Sequence, residues 1–209
     1  MDELEDYRLF ACRHLTRDGQ VLVVPSRQDV VSLFRSVGYK VEELRPGLRS
    51  GNYDVVALFG RVETADMPGL LAESLRLLKH GGLLLFSAAN DLSVLRLMKS
   101  SVSSPSERNV RRSLLNQGLQ RFIGLISRTL VHRHNFRYHP GPHGEHHPVI
   151  NPLDIRFCLE SLGAKIVSYQ PIEHIPNATL FERLGSRFFA EHMDMVRIVA
   201  RKGARYERH

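Results

Sequence analysis

The sequence contains no tryptophan and only two cysteines, Cys12 and Cys158, which lie far apart in unrelated contexts. Neither a disulfide framework nor a paired CxxC metal or redox motif is indicated. No apolar run approaches the length a helix needs to cross a bilayer. The opening stretch MDELEDYRLF is acidic where a secretory leader is basic, so a reducing, cytoplasmic location is expected. Acidic residues are scarce in one region. Between Arg96 and Arg137, Glu107 is the single acid among Arg96, Lys99, Arg108, Arg111, Arg112, Arg121, Arg128, Arg133 and Arg137. This segment accounts for the net charge of +7. A local field of one sign suits an anionic partner, whether a small molecule, a glycan, a lipid or a surface, and equally suits a plain solvated face. Nucleic acid is not indicated, because no recognition module and no interleaved aromatics accompany the charge.

What the chain does contain is alternation of strand and helix signals. Gln20 to Val24 reads as a buried strand. Ser26, with Asp29 three residues on, has capping-box spacing for a helix that buries Val30, Val31, Leu33, Phe34 and Val37 and ends at Gly38. YKVEEL and YDVVALFG are the next strands. Asp66 caps a helix with Pro68 in its first turn and a stripe of Leu71, Leu75 and Leu78. Lys79 and His80 suit its C-terminal dipole, and Gly81 is expected to stop it. GLLLFSAAN is apolar throughout, which predicts a parallel strand covered on both faces. Asn151, Pro152 and Asp154 open a further helix with Ile155, Cys158, Leu159 and Leu162 inward and Gly163 at its end. AKIVSYQ, a short helix over Leu180 to Phe189, and MDMVRIVARKG predict an antiparallel finish at one edge.

The stretch YDVVALFGRVETADMPGLLAESLRLLKHGGLLLFSAAN resembles the middle of the class I S-adenosylmethionine (SAM) dependent methyltransferases. That family has a Y/F-D-V-V strand, an acidic turn, a leucine-rich helix ending in K-x-G-G, and an apolar strand in that order. NPLDIRFCLESLGAKIVSYQPIE and LFERLGSRFFAEHMDMVRIVARKG are similar to its late elements, so the likeness covers about two thirds of the chain. It implies one α/β domain over residues 1–209, a three-layer Rossmann-like methyltransferase fold. Its sheet is mostly parallel with an antiparallel last strand, and residues 91–150 form a basic, histidine-bearing lid.

The resemblance also implies where a donor would lie, and the chain departs from the pattern there. The family's glycine-rich turn aligns with Val24, Pro25, Ser26, Arg27 and Gln28, where proline removes a donor and valine adds bulk. Its ribose-holding acid aligns near Arg45, leaving Glu42 and Glu43 as displaced candidates. Only RPGLRSGN separates Leu44 from Tyr53, where the family places a helix, a strand and another helix, so the sheet is expected to lack an edge strand. A helix start still attracts anions through its free N–H groups. The donor-side candidates are therefore Ser26, Arg27, Gln28, Glu43, Gly60 and Glu63, the last matching the acidic turn and equally suited to favouring the following helix. Two readings stay open: a methyltransferase with an atypical donor site, or a non-catalytic relative that binds a ligand, a homologous enzyme or a second copy of itself.

His132, His134, His139, His143, His146 and His147 fall within HRHNFRYHPGPHGEHHP, which its prolines and glycines mark as an irregular loop. His139, His143, His146 and His147 are the candidate ligands for a divalent metal, since neutral imidazole suits zinc and its neighbours; the spacing is not diagnostic. A histidine there is alternatively the base that deprotonates a methyl acceptor. Leu115, Leu119, Phe122 and Ile126 recur at helical spacing, with Arg121 and Arg128 on another face, which suits packing on the domain or lying on an anionic membrane. Asn177 heads an N-glycosylation sequon that a cytoplasmic protein would not use.

Overall fold

A computed structural model of the chain describes residues 19–24, 28–43, 51–60, 66–90, 136, 138–140, 146–169 and 195–203. The described elements are β1 (Gln20–Val24), α1 (Gln28–Ser36), β2 (Lys40–Glu43), β3 (Tyr53–Phe59), α2 (Met67–Leu77), β4 (Leu78–Ala89), β5 (Tyr138–Pro140), β6 (His146–Pro148), α3 (Pro152–Ser161), β7 (Lys165–Tyr169) and β8 (Met195–Arg201). Six strands form one sheet in the order β2-β1-β3-β4-β8-β7. The pairs from β2 through β4 are parallel. Strand β8 runs antiparallel to both β4 and β7. This is the mostly parallel sheet with an antiparallel final strand that the sequence implies. Among the described residues no strand lies beyond β2, as the short link after Leu44 requires.

The period of two along each strand sorts side chains onto two faces. Val21, Val23, Val55, Ala57, Phe59, Leu85 and Val199 face α1, whose Val30, Val31 and Phe34 are buried against them. Phe34 stacks on Phe59 with ring centroids 5.9 Å apart. Burying side chains of this size contributes about 1.5–3 kcal/mol each. Leu22, Val24, Val56, Leu58, Leu84, Phe86, Val196 and Ile198 face the other way, onto Met67, Leu71 and Leu75 of α2 and Ile155, Cys158 and Leu159 of α3. The result is three layers, with Gly38 at φ +98° ending α1 and Gly163 at φ +80° ending α3 as their positions predict.

Two expectations are corrected. Helix α2 stops at Leu77, before Lys79, His80 and Gly81, and those residues belong to β4. The last carbonyls are claimed by other segments: Gly51 and Asn52 donate their N–H groups to the Arg76 and Leu77 oxygens at 3.1 Å. The Lys202 ammonium reaches the Leu78 oxygen at 2.7 Å. Gly81, at φ +73°, serves a bulge in which the β3–β4 register jumps from Tyr53↔Leu78 to Val55↔Leu83. Gly82 lies so close to the backbone oxygens of Lys79 and Asp54 that a Cβ would stand only 3.0 and 3.1 Å from them. The second correction concerns the histidine segment, whose described part is not an irregular loop. It is an antiparallel ribbon in which Tyr138, His139 and Pro140 pair with Pro148, His147 and His146.

Candidate functional site

The carboxyl ends of the parallel strands lie along one edge. Strand β1 ends at Val24, β2 at Glu43, β3 at Phe59 with Gly60 following, and β4 at Ala89 with Asn90 following. From β1 the chain passes outward through α1 to β2, whereas from β3 it passes through α2 to β4 on the other side. The crevice between β1 and β3 is therefore a topological switch point, where open α/β sheets hold ligands.

Of the donor-side candidates, the structure brings Gln28 and Glu43 together. Gln28 is the first residue of α1, and its side-chain amide Nε2 lies 3.3 and 3.5 Å from the two carboxylate oxygens of Glu43. Arg35, two turns further along α1, approaches Glu43 at 4.0 Å. Glu42 is committed elsewhere, its carboxylate accepting the Tyr53 hydroxyl at 2.5 Å. Gly60, at φ +84°, closes β3 on the far side of β1 and donates its N–H to the Ser87 carbonyl at 2.8 Å. Val24 is buried in the core cluster with Leu22, Leu58 and Phe86, so its side chain has a packing role. Ser26, Arg27 and Glu63 lie outside the described residues.

Further along the edge, the N-termini of α2 and α3 converge. Asp66 caps α2 by accepting the Gly69 N–H at 2.8 Å. Asn151 caps α3 through the Leu153 N–H at 2.9 Å and donates to the buried Asp154 carboxylate at 3.0 Å. Burial pushes the Cys158 thiol up to about 12, helped by the negative charge of Asp154 and then of Asp66. The ribbon is seated here: the Tyr138 hydroxyl accepts the Met67 N–H at 3.2 Å, and the partly buried Phe136 packs against the core cluster that includes residues of α2 and α3. His139 and His147 are register partners across the ribbon, with His146 opposite Pro140. His143 lies outside the described residues. Among the described residues, no group of three or more His, Cys, Asp or Glu side chains is placed to hold a metal ion.

Sequence reasoning missed the buried polar residues at the end of the sheet. Ser87 and Arg197 are cross-strand partners on β4 and β8, and both are buried. Burial lowers the Arg197 guanidinium from its ordinary value. The signal available was an arginine between valine and isoleucine in an otherwise apolar strand. Asn90, fully buried just past β4, and Tyr138 carried no comparable signal.

No protein-family model matches the chain, and no curated protein matches it. Solved structures do. An inferred methyltransferase of Bacillus halodurans superposes with a TM-score of 0.53 at 14% identity, over 98% of this chain and 100% of that one. An inferred SAM-dependent methyltransferase of Listeria monocytogenes gives 0.54 at 13% identity, over 96% and 99%. The 1,6-didemethyltoxoflavin-N1-methyltransferase of Burkholderia thailandensis, solved with 1,6-didemethyltoxoflavin and S-adenosylhomocysteine, gives 0.50 at 11% identity, over 96% and 78%. No described helix is long and apolar enough to cross a membrane. With the sheet order, the two covering layers and these superpositions in agreement, the chain has a class I methyltransferase-like fold.

Proposed function

We propose that this protein is a methyltransferase-like enzyme with a reduced donor site, acting on an anionic acceptor of small-molecule, glycan or lipid chemistry. The observation that carries the reading is Glu43, which ends β2 beside the first turn of α1, at the corner where a nucleoside ribose would present its hydroxyls. In this reading Ser26, Arg27, Gly60 and Glu63 complete the donor side, with Gln28 beside Glu43 at its border. The start of α1 borders the same crevice, and the positive end of a helix dipole favours a negatively charged group. SAM, when bound, would supply the electrophilic methyl group. The ribbon borders the acceptor side, where one of its histidines accepts the proton of the attacking group.

A second reading, a non-catalytic module that binds a ligand or a protein partner, is favoured by the lack of a strand beyond β2 among the described residues, since that piece would enclose the adenine. Calorimetric titration with SAM and S-adenosylhomocysteine separates the two. Micromolar affinity supports the enzyme, and no binding up to millimolar ligand supports the module. The histidines His139, His143, His146 and His147 as a divalent-metal set form a separate proposal, motivated by their clustering in sequence. Metal analysis of untagged protein tests it, and less than about a tenth of an equivalent excludes a tight site.

A further inference from the structure

We infer that Gln28 is a guard on Glu43: in the free protein its amide occupies the carboxylate edge that a vicinal diol needs, so nucleoside binding requires Gln28 to swing away. The inference rests on the nucleoside reading of this corner and adds the residue that sets its affinity. The geometry is specific. Gln28 Nε2 stands 3.3 Å from Glu43 Oε1 and 3.5 Å from Oε2, so one amide group straddles both oxygens. A cis-diol that gives one hydroxyl to each oxygen needs that same approach. Amide and diol therefore compete for that approach.

Distance and exposure decide which wins. Both contacts are longer than the roughly 2.9–3.0 Å typical of N–H···O bonds, so the amide is held loosely. Hydroxyls donating to a carboxylate make shorter, charge-assisted bonds. Gln28 is exposed, and its amide is resolvated by water once released, whereas the Glu43 side chain retains only 27% of its exposure. Arg35 at 4.0 Å stays with the carboxylate on the same helix and offsets its charge whether or not Gln28 is present. Displacement is thus favourable but carries the loss of one weak hydrogen bond, which lowers affinity for any ribonucleoside. A residue that the family resemblance offers as a donor contact acts against binding.

The test is titration of adenosine and 2′,3′-dideoxyadenosine into the wild-type chain, Gln28→Ala and Glu43→Gln, followed by calorimetry or NMR shifts, with thermal unfolding to confirm that each variant is folded. Loss of a hydrogen bond at the weak end of the range, about 0.5 kcal/mol, predicts that Q28A binds adenosine about twofold more tightly than wild type. The dideoxy compound, with no diol, shows no such gain, and E43Q binds adenosine more weakly than wild type. Equal or weaker adenosine binding by Q28A, while wild type binds, overturns the guard and leaves the nucleoside site standing. An equal gain for the dideoxy compound also overturns it, since the effect would then be steric. Absence of adenosine binding by every variant removes the nucleoside reading and the guard together.

Discussion

The hydroxyl oxygen of Tyr138 accepts the backbone N–H of Met67 across 71 residues of sequence, fastening the histidine ribbon to the first turn of α2. That N–H is one of the donors a helix start cannot satisfy internally. Tyr138→Phe keeps the ring and removes the acceptor, so a cost of about 1 kcal/mol is expected, spent at the ribbon. Hydrogen exchange should quicken at the Met67 amide and over residues 138–148 while β1, β3 and β4 stay protected. Unchanged exchange at Met67 would show that the phenol does not hold the ribbon.

Cys158 offers a local probe of the same corner. With its thiol pushed up to about 12 by burial, then by Asp154 and Asp66, it has almost no thiolate at pH 8, roughly one part in ten thousand. In a Cys12→Ser background Cys158 should therefore resist iodoacetamide in the folded protein and react promptly in denaturant. Adding Asp66→Ala removes both the α2 cap and one of the charges that raise the thiol. Stability should fall by about 1 kcal/mol, and labelling should speed up. Labelling of folded C12S as fast as a free peptide thiol would mean that the packing of Cys158 against the sheet is wrong.

Gly203 follows β8 and passes directly against the turn after α3. A Cβ there would collide with the Gly163 carbonyl oxygen, and Gly163 itself sits at φ +80°, so neither side can yield cheaply. Gly203→Ala should destabilise by about 1–3 kcal/mol, the usual range for overpacking. Chemical denaturation with an unchanged slope and a lower midpoint is the expected signature. A midpoint at the wild-type value would show that the two segments are further apart.

Which features were legible follows from how local their causes are. The stripe Val30, Val31, Phe34 and the caps Asp66 and Asn151 depend on residues within a turn of one another, and each is found where the sequence puts it. The end of α2 was misjudged because Gly81 has the left-handed conformation expected of a helix stop, but spends it on a bulge against β3. Only the neighbouring strand decides between those uses. Glu43 could be nominated from its place at the end of a predicted strand, whereas its hydrogen bond to Gln28 depends on how α1 folds back over the sheet. The burial of Ser87 and Arg197 is a property of strand order, since β8 enters between β4 and β7 from the far end of the chain. For the donor corner, the length of one link alone pointed to a sheet edge at β2, and among the described residues no strand lies beyond it.

Asp54 ties three strands together near the opposite, amino-terminal edge of the sheet. It accepts the Gln20 N–H at 2.9 Å and the Lys79 ammonium at 2.9 Å, joining the start of β1 to the bulge in β4. Burial raises its carboxyl value, but the Gln20 N–H and the Lys79 hydrogen bond and charge outweigh that, leaving it below the ordinary 3.8. A carboxyl lowered on folding contributes stability that is fully present above its unfolded value and is lost as pH falls through the folded one. Asp54→Asn should therefore be less stable than wild type at neutral pH, with the difference shrinking once pH drops below 3.8. Because Lys79 and Asp54 are both well exposed, added salt should narrow the neutral-pH gap as well, and the portion that survives screening belongs to the Gln20 hydrogen bond. Paired denaturation curves across pH and salt check this, and a gap that widens on acidification would contradict the lowered carboxyl.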